Sequence, residues 1–289
     1  MPPYHSDATI PWRPLTDLCP DCKPALTHSH EPITIMKTLF RSLPRWNANA
    51  GVFLDIGLAF DAKETALALE LGFRVIGIEA HHDYYATVLA RHRGNVTNGR
   101  LTLLHAAVSN STGWQSFYRS GEASSLSNSS ATMKLSMVDR DHKSEVVRLT
   151  TIDDVLGGDD CAALKLDIQG YEYEALLGAT RLLSRPIARA PLVMLEVYEA
   201  MRNDQRNLPH LRLLMGYGYT CYDVTSAPRH AFQSDLSLRH RSRCCKVRSN
   251  PWNIMACPKL YDDPTRINCA MPVFTDFVCV KHASTKGNG

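Results

Sequence analysis

Three apolar runs in this chain close on acidic residues, and each acid stands where a ligand could meet it. VFLDI leads into Asp55-Ile56-Gly57, RVIGIE ends in Glu79, and ALKLDI carries Asp167 within the longer string KLDIQGYE. Ligands of open parallel sheets sit beyond the carboxyl ends of the strands, at the switch in strand order, so these acids are placed for chemistry. Glu79 follows Asp55 by about twenty residues, the interval at which a carboxylate can accept hydrogen bonds from both hydroxyls of a ribose. Gly57 lets the backbone turn tightly and come close to a ligand. Nicotinamide dinucleotides and S-adenosylmethionine (SAM) share this pairing of glycine and acid.

The turn after the first run separates the two cofactors. A diphosphate needs Gly-x-Gly-x-x-Gly and free backbone amides at a helix N-terminus. Here Ala59 and Asp61 interrupt that pattern, and Asp61, Lys63 and Glu64 open the helix. Two carboxylates there repel a diphosphate. SAM has no phosphate but carries an ammonium and a sulfonium, which tolerate nearby acids, so the residues favour SAM. The plainer alternative is an ordinary strand–helix–strand unit whose acids only cap helices.

Methyl transfer to a hydroxyl needs an aligned acceptor and a base within hydrogen-bond reach of its proton. Asp167 and Glu172 form the expected acid/base and orientation pair, and Glu196, closing the run LVMLEV, would meet acceptor hydroxyls at the same rim. Structural roles compete for each. Glu172 also suits the positive end of a helix dipole, with Gly170 in the turn, and Glu196 could be a plain strand-end acid. Asp153-Asp154 and Asp159-Asp160 read as a helix start and a turn, so no metal is expected.

The elements that would position these residues alternate. Strands are expected at VFLDI, RVIGIE, LTLLHAAV, ALKLDI and LVMLEV, with helices starting near Lys63, Asp83, Thr151 and Tyr171. Continuous Val/Ile/Leu strands alternating with helices predict a parallel sheet covered on both faces. LLMGYGYTCYDVT (213–225) and VFTDFVCVKH (273–282) predict a helix end and two strands pairing antiparallel at the sheet edge. The Ser-rich, then strand-like stretch from Trp114 to Arg148 reads as a surface excursion. Residues 1–32 read as a poorly ordered arm, and 33–43 as an amphipathic helix packed as a lid on the core. The remaining chain, 33–289, reads as a single domain whose long insertion at 226–272 is a candidate substrate lid.

Composition narrows the function classes. The net charge is +3 over 289 residues and 44% are hydrophobic, so no bulk field calls for nucleic acid or an anionic membrane. No apolar run reaches the roughly 18 residues of a membrane span. RHRSRCCKVR (239–248) is a basic run that reads either as a solvated face or as a site for an anionic acceptor such as an acidic glycan. It lacks the interleaved aromatics of a nucleic-acid surface. Cys19 and Cys22 form a lone CxxC, a weak metal signal. The missing signal segment predicts a cytoplasmic protein. Sequons at Asn95, Asn110 and Asn128, with six of the nine cysteines at Cys221, Cys244, Cys245, Cys257, Cys269 and Cys279, carry the alternative of a secretory lumen.

Taken in order, FLDIG, GFRVIGIEA, LTLLHAAVS, LTTIDDVL, ALKLDIQGYEYEALLGA and VMLEVYE resemble the FkbM-type SAM-dependent methyltransferases, from about residue 51 to 225. KLDIQGYE, from Lys165 to Glu172, is the most specific part. One departure is the turn, where Ala59 and Asp61 stand at the family's usual Asn and second Gly; Thr65 fits a branch with Thr there. The resemblance implies a Rossmann-like, seven-stranded, mostly parallel α/β sheet with an antiparallel last strand, the class I SAM-dependent methyltransferase fold. It implies Asp55 and Gly57 at the methionine end of SAM and Glu79 on the ribose. Ala80 and His81 or His82 would flank the adenosine, with His105, Ala106 and Ala107 near the adenine and Asp167 near the methyl donor. The expected reaction is O-methylation of a hydroxyl on a sugar or other secondary metabolite. The alternative is an inactive SAM-fold binding or scaffold protein, motivated by the altered turn.

Overall fold

A computed structural model of the chain describes residues 13–14, 18, 32–119, 125–126, 143–168, 170–199, 209–223 and 273–281. The strands are β1 (Arg13–Pro14), β2 (Val52–Ile56), β3 (Val75–Glu79), β4 (Leu101–His105), β5 (Ala107–Val108), β6 (Gly113–Arg119), β7 (Ser125–Leu126), β8 (Lys143–Thr150), β9 (Cys161–Leu166), β10 (Leu192–Glu199), β11 (Tyr219–Asp223) and β12 (Val273–Lys281). The α-helices are α1 (Pro32–Ser42), α2 (Lys63–Glu70), α3 (His82–Arg91), α4 (Arg93–Thr97), α5 (Ile152–Leu156), α6 (Glu172–Leu177), α7 (Thr180–Leu183) and α8 (Pro209–Gly216).

The main sheet runs β1-β11-β12-β10-β9-β2-β3-β4. Every neighbouring pair is parallel except those made by β12, which runs antiparallel to both β10 and β11. The expected seven strands are therefore present. The two-residue β1 adds an outer eighth within the stretch expected as an unstructured arm. From β2 the chain builds outward through β3 and β4, then returns to place β9 on the other side of β2. That reversal is the switch point, and it brings the carboxyl ends of β2 and β9 together.

Each face of the sheet is buried. On β2, Leu54 and Ile56 join Ala175, Leu176, Leu182, Leu183, Leu211 and Leu214 from α6, α7 and α8. Phe53 points the other way, into Ile35, Met36, Leu39 and Phe40 of α1 and Leu67 of α2. The rings of Phe40, Phe53 and Phe73 lie 5.0 to 6.0 Å apart, and burying each contributes about 1.5–3 kcal/mol. The helix expected as a lid is thus a wall of the second face.

Two expectations are corrected. LTLLHAAV is not one strand: β4 stays in the main sheet, and after Ala106 the chain enters a second sheet ordered β5-β8-β6-β7. The stretch read as a surface excursion supplies the rest of that sheet. Phe117, Val147 and Leu149 alternate onto its inner face and pack with Ala107 and Tyr171, close to Ala80 and Ile168. Its period of two emerges only when β6 and β8 pair antiparallel. Trp114 on the other face is 72% exposed.

Cys221 and Cys279 face each other across β11 and β12 and form a disulfide. Cys161 is a free, buried thiol. Cys19 and Cys22, the 226–272 insertion and the basic run within it lie outside the described residues.

Candidate active site

The turn between β2 and α2 is bent by three residues with positive φ: Gly57 at 86°, Ala59 at 53° and Ala62 at 46°. Gly57 is required, because a Cβ there would lie 1.9 Å from the Asp167 carbonyl oxygen. The two alanines hold a left-handed conformation that costs on the order of 1 kcal/mol or more each. Contacts from outside the turn hold that shape. Ala59 N–H donates to Glu79 Oε2 at 3.1 Å, and Arg91 Nη1 donates to the Asp61 carbonyl at 2.7 Å. The Asp61 carboxylate pairs with Lys63 at 2.9 Å.

Glu79 is 6% exposed. Besides Ala59 it accepts from His81 N–H at 2.7 Å, so its two oxygens clamp the turns that follow β2 and β3. Burial pushes its carboxyl up from the usual range, and the His81 and Ala59 amides oppose that rise. The His81 ring is buried, stacks on Tyr84 at 4.2 Å, and accepts from Asp83 N–H, capping α3. Ala80 is half-buried, and Ala106 and Ala107 are buried at the ends of β4 and β5. His105 is exposed, stacks on Tyr85 at 5.1 Å, and has Nε2 3.1 Å from the Ala80 carbonyl. Its ring therefore belongs to the outer rim.

On the other side of the switch point lies a cluster of charges. Asp55 and Lys165 are in register on parallel strands, and their side chains share one face. Lys165 Nζ lies 3.6 Å from Asp55 Oδ1, 3.6 Å from Asp167 Oδ2 and 4.0 Å from Glu64 Oε2, and it donates to the Gly57 carbonyl at 2.9 Å. Thr65 Oγ1 donates to Asp55 Oδ2 at 2.7 Å. Asp55 is fully buried, and burial pushes its carboxyl up to about 6 against the pull of Lys165. Burial disfavours the Lys165 ammonium, yet Asp167, Asp55, Glu64 and Glu196 outweigh it and hold the group above the ordinary lysine value.

The three acids expected to act in catalysis part company. The Asp167 side chain is 33% exposed, directly after β9, and its N–H donates to the Ile56 carbonyl at 3.0 Å. Glu172 is 0% exposed: Oε1 accepts from Ile168 and Gly170 N–H at 3.0 Å each, and Oε2 is buried with no hydrogen-bond partner among the described residues. Burial pushes this carboxyl up to about 7. Glu196 is half-buried and lies within β10, which runs on to Glu199 and so extends past the expected strand end. It sits one residue beyond the β9–β10 pairing, which stops at Leu195 and Leu166. The sequence reading missed Lys165, Phe60 and Tyr84 as parts of this site. A lysine inside an otherwise apolar buried strand was the available signal for the first. Phe60, 49% exposed on the turn and 6.1 Å from the Tyr84 ring, had none beyond its place in the string.

This acid-rich strand end, with one glycine against the backbone of the next turn, fits a cationic cofactor and not a diphosphate. The sequence model of the methyltransferase FkbM domain matches residues 48–221, which spans β2 through β10 and reaches into β11. The chain belongs to the FkbM methyltransferase family. The family makes SAM the cofactor and methyl transfer the chemistry of this domain. No curated protein matches the chain.

Among solved structures, an FkbM methyltransferase from Methylobacillus flagellatus is 15% identical, with a TM-score of 0.41 over 72% of this chain. The chain spans only 56% of that protein's length. An O-methyltransferase from Bacillus cereus in complex with SAH is 10% identical, with a TM-score of 0.36 over 92% of this chain and 89% of that one. A 1,6-didemethyltoxoflavin-N1-methyltransferase from Burkholderia thailandensis is 12% identical, with a TM-score of 0.36 over 93% and 86%. At these scores they add nothing to the assignment, which rests on the domain match.

Proposed function

We propose that this FkbM domain methylates a hydroxyl of a small molecule or glycan, most simply a sugar or other secondary metabolite. When bound, SAM supplies a methyl carbon already activated by its sulfonium. The chain's own residues then divide the remaining work. Gly57 and the Asp55 cluster would hold the methionine end, Glu79 the ribose, and Ala80, His81, Ala106 and Ala107 the adenosine, with His105 at its outer edge. Asp167 would orient the acceptor hydroxyl and take its proton. Glu172 would shape the 168–170 turn that carries Asp167, and Glu196 would meet the acceptor further along the rim.

One observation carries this reading. Asp167 is open to solvent and ion-paired to Lys165, and its backbone abuts Gly57 at the switch point. A carboxylate kept ionised beside the cofactor turn is a suitable base for an alcohol. An anionic acceptor is part of the proposal through the basic run at 239–248, which lies outside the described residues. Nucleic acid is not, and among the described residues no helix is long and apolar enough to cross a membrane. The cytoplasm is the compartment the sequence suggested, but the Cys221–Cys279 bond favours the oxidising alternative. Thiol counting on protein taken from its own cells distinguishes the two.

Calorimetric titration tests the function. SAM and S-adenosylhomocysteine are expected to bind with Kd between about 1 μM and 1 mM. A screen of hydroxylated glycans and metabolites with labelled SAM should then find the acceptor. Absence of binding by both cofactor forms would replace the enzyme with the non-catalytic scaffold that the Ala59/Asp61 turn suggests.

A further inference from the structure

The geometry points to Lys165 as the positioning residue of the site, one ammonium that fixes the cofactor turn and the acceptor-side carboxylate relative to each other. This rests on the site reading above. Lys165 stands in β9 between Leu164 and Leu166, both fully buried, with Ala162 and Ala163 no more exposed than 1%. A charge at such a position seldom adds stability over a well-packed apolar side chain, because its desolvation offsets the attraction. Its presence therefore asks for a role in arrangement, and its contacts supply one.

Four elements meet at this nitrogen. Asp55 comes from β2, Glu64 from α2, Asp167 from the turn after β9, and Glu196 from β10. Glu79 at the end of β3 also feels the charge. The turn after Gly57 is held from both sides. The Gly57 carbonyl accepts from Lys165 at 2.9 Å, and the Ala59 N–H donates to the Glu79 carboxylate at 3.1 Å. Two successive peptides of the turn are thus tied, one to a cation and the next to an anion, and together these fix the turn. The same ammonium lies 3.6 Å from Asp167. A shift of the cofactor turn therefore cannot leave the Asp167 ion pair undisturbed. Lys165 also favours the ionised form of Asp55 against its burial and the repulsion of Glu64 and Asp167. A cationic cofactor requires that form.

The test compares the wild type, Lys165→Met and the double variant Asp55→Asn/Lys165→Met. SAM affinity is measured calorimetrically from pH 5.5 to 8.5, together with the Tm of the unliganded proteins. Without the ammonium, Asp55 keeps its proton to higher pH. Lys165→Met should thus bind SAM at least about tenfold more weakly at pH 7 and recover part of the loss by pH 8.5. The double variant leaves no buried carboxylate at position 55. It should melt above the single variant at pH 8 and bind SAM weakly without that recovery. Wild-type affinity in Lys165→Met, or an equal loss at every pH, overturns the positioning role. If Lys165→Met does not fold, the double variant decides: weak, pH-flat binding supports the role, and binding like the wild type's overturns it. A wild type that binds no SAM removes the site reading, and this proposal with it, before any variant is compared.

Discussion

β2 carries Asp55 and turns at Gly57, and after β9 the chain runs through Asp167 and Gly170; the two glycines take φ of 86° and 91°. Each turn is gathered onto a buried glutamate that accepts two backbone N–H groups. Glu79, from the neighbouring strand β3, serves the first turn, and Glu172, from the helix that follows, serves the second. The aspartates differ. Asp55 is 0% exposed and Asp167 is 33% exposed in its side chain. In the parallel ladder Asp55 sits opposite Lys165, so Asp167 is two residues nearer the rim on the same face. Two residues of register separate a fully buried acid from one whose carboxylate reaches solvent.

The largest way to break this comparison is Gly57→Ala. The added methyl would overlap the Asp167 carbonyl and force a positive φ on alanine, so a loss of roughly 3 kcal/mol or more is expected. Chemical denaturation would measure it, and SAM binding should vanish with it. Next comes Asp167→Asn. If the exposed aspartate acts and the buried one holds, this variant should keep SAM affinity within a few-fold and slow transfer roughly 100-fold or more. Unchanged turnover with the acceptor found by the screen would remove Asp167 from the mechanism.

Glu172→Gln sharpens the second turn. The Glu172 carboxyl titrates at about 7 in the folded chain and near 4.5 when unfolded. The folded state therefore binds the extra proton, its contribution is complete below about pH 4.5, and it is lost as pH rises through about 7. Wild-type stability should fall by about 2–3 kcal/mol across that window, and Glu172→Gln should lack this fall. Melting curves between pH 4.5 and 8 give the answer; equal slopes for both proteins would show that Glu172 is not the group responsible. The smallest effect belongs to Ala59→Gly. Glycine relieves the left-handed strain at an exposed position but adds freedom to the unfolded chain, so a gain of no more than about 1 kcal/mol is expected. A clear loss of stability would mean that the alanine methyl supports the turn.

The acids at the strand ends were legible because their positions follow from local pattern: an apolar run, an acid, a glycine. So were the parallel sheet, the helices after Gly57 and Gly170, and the antiparallel pairing of the last two strands. The string KLDIQGYE shows Lys165 but not its role, since that depends on which residue of β2 lies opposite. For Glu172 the sequence leaves a catalytic partner and a helix-end acid both open, because it gives the place in the helix and not the direction of the carboxylate, which turns inward onto two amides. The break at Ala106 was hidden for a related reason. Both halves of LTLLHAAV are apolar, and only the presence of β8 decides that Ala107 leaves the main sheet. Nine cysteines left the pairing open until register set Cys221 against Cys279.

The sequence by itself determined the family, the order of strands and helices that build the seven-stranded core of the main sheet, and the acid-rich, glycine-poor turn that suits a cationic cofactor. These are properties of neighbours along the chain, where side-chain type and period act directly. The tertiary structure decided which acids are buried and which face solvent, and how Lys165 is shared among them. Burial and Coulomb interaction depend on distance through space. Asp55, Gly57 and Lys165 come within a few ångströms of one another only after the chain has reversed direction across the sheet and laid β9 beside β2.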